Sequence, residues 1–399
     1  MRRTLPAVLC LAAAVAVASP VSAQGEFKLQ FKAADTDMSG VMRMARQYVP
    51  AAAIPVSSLP GLPEGATGNW FYARVGLGQC KVILGMAEKD SAKLYVDTNG
   101  DGVLKDEKPV EAATKGGNRV FGPVTINVVV GGDKRTVSLS VMQPARGNYL
   151  LCSPGGYWAG TAELGGKKVS LGLVDSDWDG RIARGEFSMK ALMSRRFDGL
   201  AIDLDGDGKF AMSMQNFEVM PLPRLIQVAG VTYSLEVKPD GSAVTFTKVE
   251  PQLGTLDAGS PDVEMMLFGD TGVHRLTASG GKWQVPAGEY IPMQITLAKK
   301  DDAGAAWTLS GRPGEKSGML RVEAGRTLEM GLGGPLAAAT DVQKPAPGQP
   351  VSIGFALKSA GGVEFAPGAT KDGKRQDAPT FKILGENGTV LKADKFSYG

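Results

Sequence analysis

The chain has 399 residues, 43% of them hydrophobic, with 44 Lys and Arg against 41 Asp and Glu and a formal net charge of +3. That length supports two or three domains, and basic residues scattered through a nearly neutral chain argue against nucleic acid or an anionic membrane as a partner. With His274 the one histidine in the sequence, a Ser-His-Asp or Cys-His catalytic arrangement would have to be built on it, and no nucleophile-elbow motif accompanies it.

At the amino terminus Arg2 and Arg3 precede an apolar stretch over 5–18, and Val21, Ser22 and Ala23 place small residues at a cleavage position. Residues 1–23 therefore read as a secretory signal peptide and the protein as secreted, periplasmic or extracellular. The apolar run is too short to span a bilayer, Pro20 ends it, and no later segment is long enough. Export makes Cys80 and Cys152 an even pair in an oxidising compartment, so a disulfide between them is expected. Residues 24–68 are rich in Pro and Gly and read as an arm or irregular cover.

Residues 69–250 carry three aspartate-rich loops, each following an apolar, strand-like run. The first offers Asp97, Asn99 and Asp101 at positions one, three and five, Gly102 at six and the Val103 carbonyl at seven. The second, DSDWDGRIARGE, offers Asp175, Asp177 and Asp179, then Gly180, the Arg181 carbonyl and Glu186 at position twelve. The third offers Asp203, Asp205 and Asp207, Gly208 and the Lys209 carbonyl. Alternate-residue spacing turns oxygen ligands inward around a hard cation, and a glycine at position six permits the sharp bend. Calcium is the expected ion, with Glu186 as the bidentate ligand. Position twelve is Lys108 in the first loop and Met214 in the third. Asp106 or Glu107 would substitute in the first, and a ligand from elsewhere, with Glu218 the nearest downstream acid, must close the third.

These loops resemble the EF-hand-type DxDxDG calcium loops of bacterial secreted proteins, over about twelve residues at each site. The resemblance implies the ion and the loop geometry but not the flanking fold. An ordinary EF-hand places an amphipathic helix before the loop, whereas the lead-ins here, at 94–96, 171–174 and 200–202, look like strands.

An internal duplication is also legible. The first loop is followed by alternating Val124, Ile126, Val128 and Val130, a GGD turn and a return through Val137, Leu139 and Val141. The third is followed by Val231, Tyr233, Leu235 and Val237, a PDG turn and a return through Val244 and Phe246. Each unit is a calcium loop followed by a hairpin. Only 185–196 looks helical, and it reads equally as an ordered surface loop.

From about 251 the acidic loops stop, and short apolar runs at 263–268, 289–297, 307–309, 319–322 and 328–332 predict a β-sandwich domain over 251–334. Residues 335–350 read as a linker, and 351–399 as further β strands forming an immunoglobulin-like module. The predicted fold class is mainly β: a duplicated strand, calcium-loop and hairpin region followed by an immunoglobulin-like β-sandwich region. The segment 311–318 fails the spacing of a phosphate-binding loop.

The sequence thus points to a calcium-binding structural or interaction protein, with a cell-surface protein or polysaccharide as partner. An alternative is a carbohydrate-binding surface protein presenting Trp70, Phe71, Tyr72, Tyr157 or Trp158, although such rings more often pack inside. A third reading is a hydrolase using two carboxylates.

Overall fold

The computed structural model describes residues 25–33, 46–50, 52–77, 80–130, 132–188, 190, 197–211, 217–277, 280–312, 318–343, 346, 348–349, 351–366 and 368–397. The segment 1–23, expected as a signal peptide, lies outside them. The protein is mainly β: the described elements are strands and a 3-10 turn at Val56–Ser58, with Lys190 the one described residue in α-helical conformation. Among the described residues no helix is long and apolar enough to cross a membrane.

Period-two patterning builds the first core. Along Asn118–Val130, the side chains of Val124, Ile126, Val128 and Val130 are buried while Thr125, Asn127 and Val129 face outward. Antiparallel pairing with Asp133–Gln143 in the register Val124↔Leu139 and Ile126↔Val137 stacks the inward residues in rows. The sheet has the order Gln47–Pro50, Tyr149–Pro154, Asp133–Gln143, Asn118–Val130, Ala113–Lys115. It shares a core with a second sheet ordered Ala52–Pro55, Asn69–Leu77, Cys80–Ala87, Lys93–Val96, Val110–Glu111.

The second sheet pair uses a corresponding order. One sheet runs Gln30–Ala33, Gly156–Leu164, Lys167–Val174, Gly199–Ile202, Val219–Pro221; the other runs Gly25–Lys28, Ala243–Lys248, Val231–Val237, Leu225–Val228. Leu171, Ile202, Tyr233 and Phe246 lie in the core between them. Tyr149–Pro154 has no counterpart here; it leads directly into Gly156–Leu164 and so carries the chain from the first pair to the second.

A third core is shared by the three-stranded sheet Lys282–Pro286, Leu253–Asp257, Thr327–Glu329 and a larger sheet containing Val263–Gly269, Gly288–Lys300 and Ala306–Arg312. Val263–Gly269 is covered on both faces: Met265 and Leu267 enter the third core, and Met266 and Phe268 enter the second.

Several expectations change. The stretch 24–68, read as irregular cover, contains Gly25–Lys28, Gln30–Ala33, Gln47–Pro50 and Ala52–Pro55, each paired to a sheet edge. Four residues are too few to display a period, so pairing reveals these strands where patterning does not. The expected linker at 335–350 contains Ala337–Gln343, paired along its length with Ser352–Lys358. In the segment from 351, Val363 and Phe365 are fully buried in the third core and Glu364–Phe365 pairs with Ala306–Arg312, whereas Thr380–Leu384 and Val390–Lys395 form a two-stranded sheet of their own. The stretch 185–196, read as helix or ordered surface loop, is irregular over 185–188 and helical at Lys190, and its other residues lie outside the described ones.

The expected disulfide is not formed. Cys152 is a free thiol with no solvent exposure, packed in the first core, and burial pushes it up to about 12. It behaves as a small hydrophobic side chain. Cys80 begins a strand of the opposite sheet, and its side chain lies outside the described residues.

Candidate metal centres

All three acidic loops connect antiparallel strands. The first joins Lys93–Val96 to Val110–Glu111, the second Lys167–Val174 to Gly199–Ile202, and the third Gly199–Ile202 to Val219–Pro221. The second and third therefore flank one short strand, Gly199–Ile202, whose four residues are all buried.

Their internal geometry repeats. The position-one carboxylate accepts from the position-six glycine: Gly102 N to Asp97 Oδ2 at 3.1 Å, Gly180 N to Asp175 Oδ2 at 2.9 Å and Gly208 N to Asp203 Oδ2 at 3.0 Å. The position-seven amide donates to the position-five carboxylate: Val103 N to Asp101, Arg181 N to Asp179 and Lys209 N to Asp207, at 2.9, 2.8 and 2.8 Å. The position-six glycines have φ of +83°, +75° and +78°, the left-handed region where a Cβ is disfavoured. Position four is also left-handed, with Gly100 at +76° and Gly206 at +81°, but the second loop places Trp178 there at +59°.

An acid from beyond the DxDxDG segment closes each turn by accepting the position-two amide. Glu107 accepts from Thr98 N at 2.6 Å and Thr98 Oγ1 at 2.7 Å. Asp198 accepts from Ser176 N at 3.0 Å and Ala183 N at 2.7 Å. Glu218 accepts from Leu204 N and Ala211 N, both at 2.8 Å.

In the second loop the carboxylates of Asp175, Asp177 and Asp198 each place an oxygen within 4.8 Å of the others. Asp203, Asp205 and Glu218 do the same in the third. Glu186, expected as the bidentate ligand, is exposed and outside the group; Asp198 takes its place. Strand register explains the substitution, because pairing of Val174 with Gly199 sets Asp198 opposite Asp175. Asp179 is likewise drawn away: Arg135 Nη1 donates to its Oδ2 at 3.0 Å and to its carbonyl at 2.8 Å. Asp207 is outside the third group, and position twelve, Met214, lies outside the described residues. In the first loop Asn99 Nδ2 donates to both Asp101 and Asp106, at 3.2 and 3.1 Å, so an amide bridges these acids.

Electrostatics sets the second group apart. Asp175 is raised to about 7, first by burial and then by the charge of Asp177. Asp198 is raised well above its ordinary value by burial, then by Asp175 and Asp177. Asp175 Oδ1 is sealed from solvent and has no hydrogen-bond partner. A buried, unpartnered carboxylate oxygen facing like charges is costly unless a proton or cation compensates it. In the first loop, burial also raises Asp97, against the lowering effect of hydrogen bonds from Gly100 and Gly102.

The aromatic candidates separate. Trp70 and Tyr157 are buried, Phe71 and Tyr72 are half-buried, and Trp158 is half-buried with its ring 5.6 Å from that of Phe31. Comparison of the chain with protein-family models, curated proteins and solved structures finds no match.

Proposed function

We propose that this is a secreted or periplasmic calcium-binding structural or interaction protein in which the acidic loops hold Ca²⁺ and stiffen a β fold. The carrying observation is the Asp175, Asp177 and Asp198 group, with three carboxylates converging around a sealed, unpartnered Asp175 Oδ1. A divalent cation would relieve their repulsion, and the all-oxygen donor set of both groups suits a hard ion. The repeated loop geometry and the strand order shared by the two sheet pairs support an ancestral duplication of loop and hairpin. Export is supported by the leader-like composition of residues 1–23.

With strands on both sides of each loop, there is no incoming helix to rotate. Calcium therefore acts as a cross-link between strand ends and exposes no apolar groove. Affinity belongs with extracellular modules, with a dissociation constant on the order of 10⁻⁴ to 10⁻³ M. Thermal melting of the purified protein in calcium, in magnesium and in chelator tests the reading. Calcium should raise the melting temperature more than magnesium does, whereas identical melting in calcium and chelator would sink it.

A further inference from the structure

We propose that the cleft between the two sheet pairs binds an uncharged saccharide. It has a volume of about 420 Å³ and is lined by Phe31 and Trp158, by Thr125 and Thr136, and in part by the second acidic loop. That volume lies within the range of small-molecule sites.

The aromatic side is built for contact. Phe31 is 46% exposed, large for an apolar ring in a concave site, and meets Trp158 edge to face at an interplanar angle of 75°. Both rings lie against backbone: a Cβ at Gly156 would overlap Phe31, and one at Gly241 would overlap Trp158. Their positions are thereby restricted before any ligand arrives, which lowers the ordering cost of binding.

Thr125 and Thr136 come from the outward face of the first hairpin, where period-two alternation turns them away from the core, and Thr136 Oγ1 also donates to Asn127 Oδ1 at 3.4 Å. Hydroxyls both donate and accept, so they match a ligand edge that does the same. Three ionisable side chains line the cleft, and each already has a partner within the protein: Arg181 bonds Asp133 at 2.9 Å, Asp240 accepts from Ser242 N and Oγ at 3.0 and 2.6 Å, and Asp175 accepts from Gly180 N within the second acidic loop. One apolar face and one hydroxyl edge describe a neutral pyranose.

The ring and hydroxyl walls belong to strands and stand apart from the cation reading. Only coupling between sugar and cation rests on that reading, because Asp175 and Gly180 also line the cleft.

The test is calorimetry and tryptophan fluorescence of the purified protein with cellobiose, maltose and N,N′-diacetylchitobiose, after calcium binding has been measured alone. At least one disaccharide should bind, Phe31→Ala should weaken it about tenfold, and Thr136→Val should weaken it without altering the fold. Tyr48→Ala, which removes an exposed ring stacked on Tyr149 outside the cleft, should leave binding unchanged. The proposal is overturned if none of the three sugars binds, or if the Phe31 and Thr136 variants bind as tightly as wild type. A protein that takes calcium but no disaccharide defeats the cleft proposal alone; one that takes a disaccharide but no calcium defeats the cation reading alone.

Discussion

Trp178 and Ile182 lie four residues apart on one acidic loop and are buried in different cores, Trp178 in that of the first sheet pair and Ile182 in that of the second. The segment between them reaches both sheet pairs, through Arg135 and Asp179 at 3.0 Å and through Ile182 N and the Pro239 carbonyl at 2.8 Å. The carboxylate group of this loop thus sits at the joint between two cores. Stiffening it would affect how they are held, beyond the loop's own stability.

Trp178 occupies a left-handed backbone position at a cost of about 1–2 kcal/mol, set against the burial of its indole, which is 1% exposed and leaves Nε1 without a hydrogen-bond partner. Replacing it with alanine removes the ring and keeps the strain, for a loss of about 3–5 kcal/mol. Trp178→Gly loses the same ring but accepts the backbone freely. Chemical denaturation should rank wild type above Trp178→Gly and Trp178→Ala lowest; an alanine variant as stable as the glycine variant would refute the strain argument.

Cation-free protein should lose stability as pH rises. Asp175 is raised to about 7 when folded, against about 3.9 for an unfolded aspartate. Between those values the folded chain holds a proton that the unfolded chain has released, so stability falls with increasing pH. Asp198 shifts in the same direction. On the proposed function calcium would displace these protons, and its stabilising effect should widen over the same window. Melting in chelator and in calcium at about pH 5 and about pH 7.5 measures both trends; a calcium effect that shrinks toward the higher pH would contradict them.

Much of this arrangement was legible in the sequence, and the gaps have physical causes. Alternation at 124–130 and 231–237 announced the hairpins, and the DxDxDG spacing announced the turns. Asp198 was invisible because its place depends on pairing between Val174 and Gly199, 25 positions apart, rather than on local spacing. Glu186 has the expected spacing but is exposed and outside the group, since the chain leaves the loop as an irregular segment. Phe31 sits on a strand of only four residues, too short to show a pattern.

Cys152 should resist alkylation in the native protein. Its thiol has no solvent exposure and is pushed up to about 12, which suppresses the reactive thiolate. Mass spectrometry after iodoacetamide treatment should find Cys152 unmodified when folded and modified in denaturant without reductant. Protection that persists in denaturant until reductant is added would show a disulfide instead.

The central claim is that carboxylates brought together by strand pairing hold calcium, and calorimetric titration of wild type, Asp198→Asn and Glu186→Gln tests it most directly. The two convergent carboxylate groups predict two binding events in wild type at millimolar calcium. Asp198→Asn should remove one of them, while Glu186→Gln, altering an exposed residue outside both groups, should remove none. No binding heat from wild type, or a site lost in Glu186→Gln but retained in Asp198→Asn, would contradict the account.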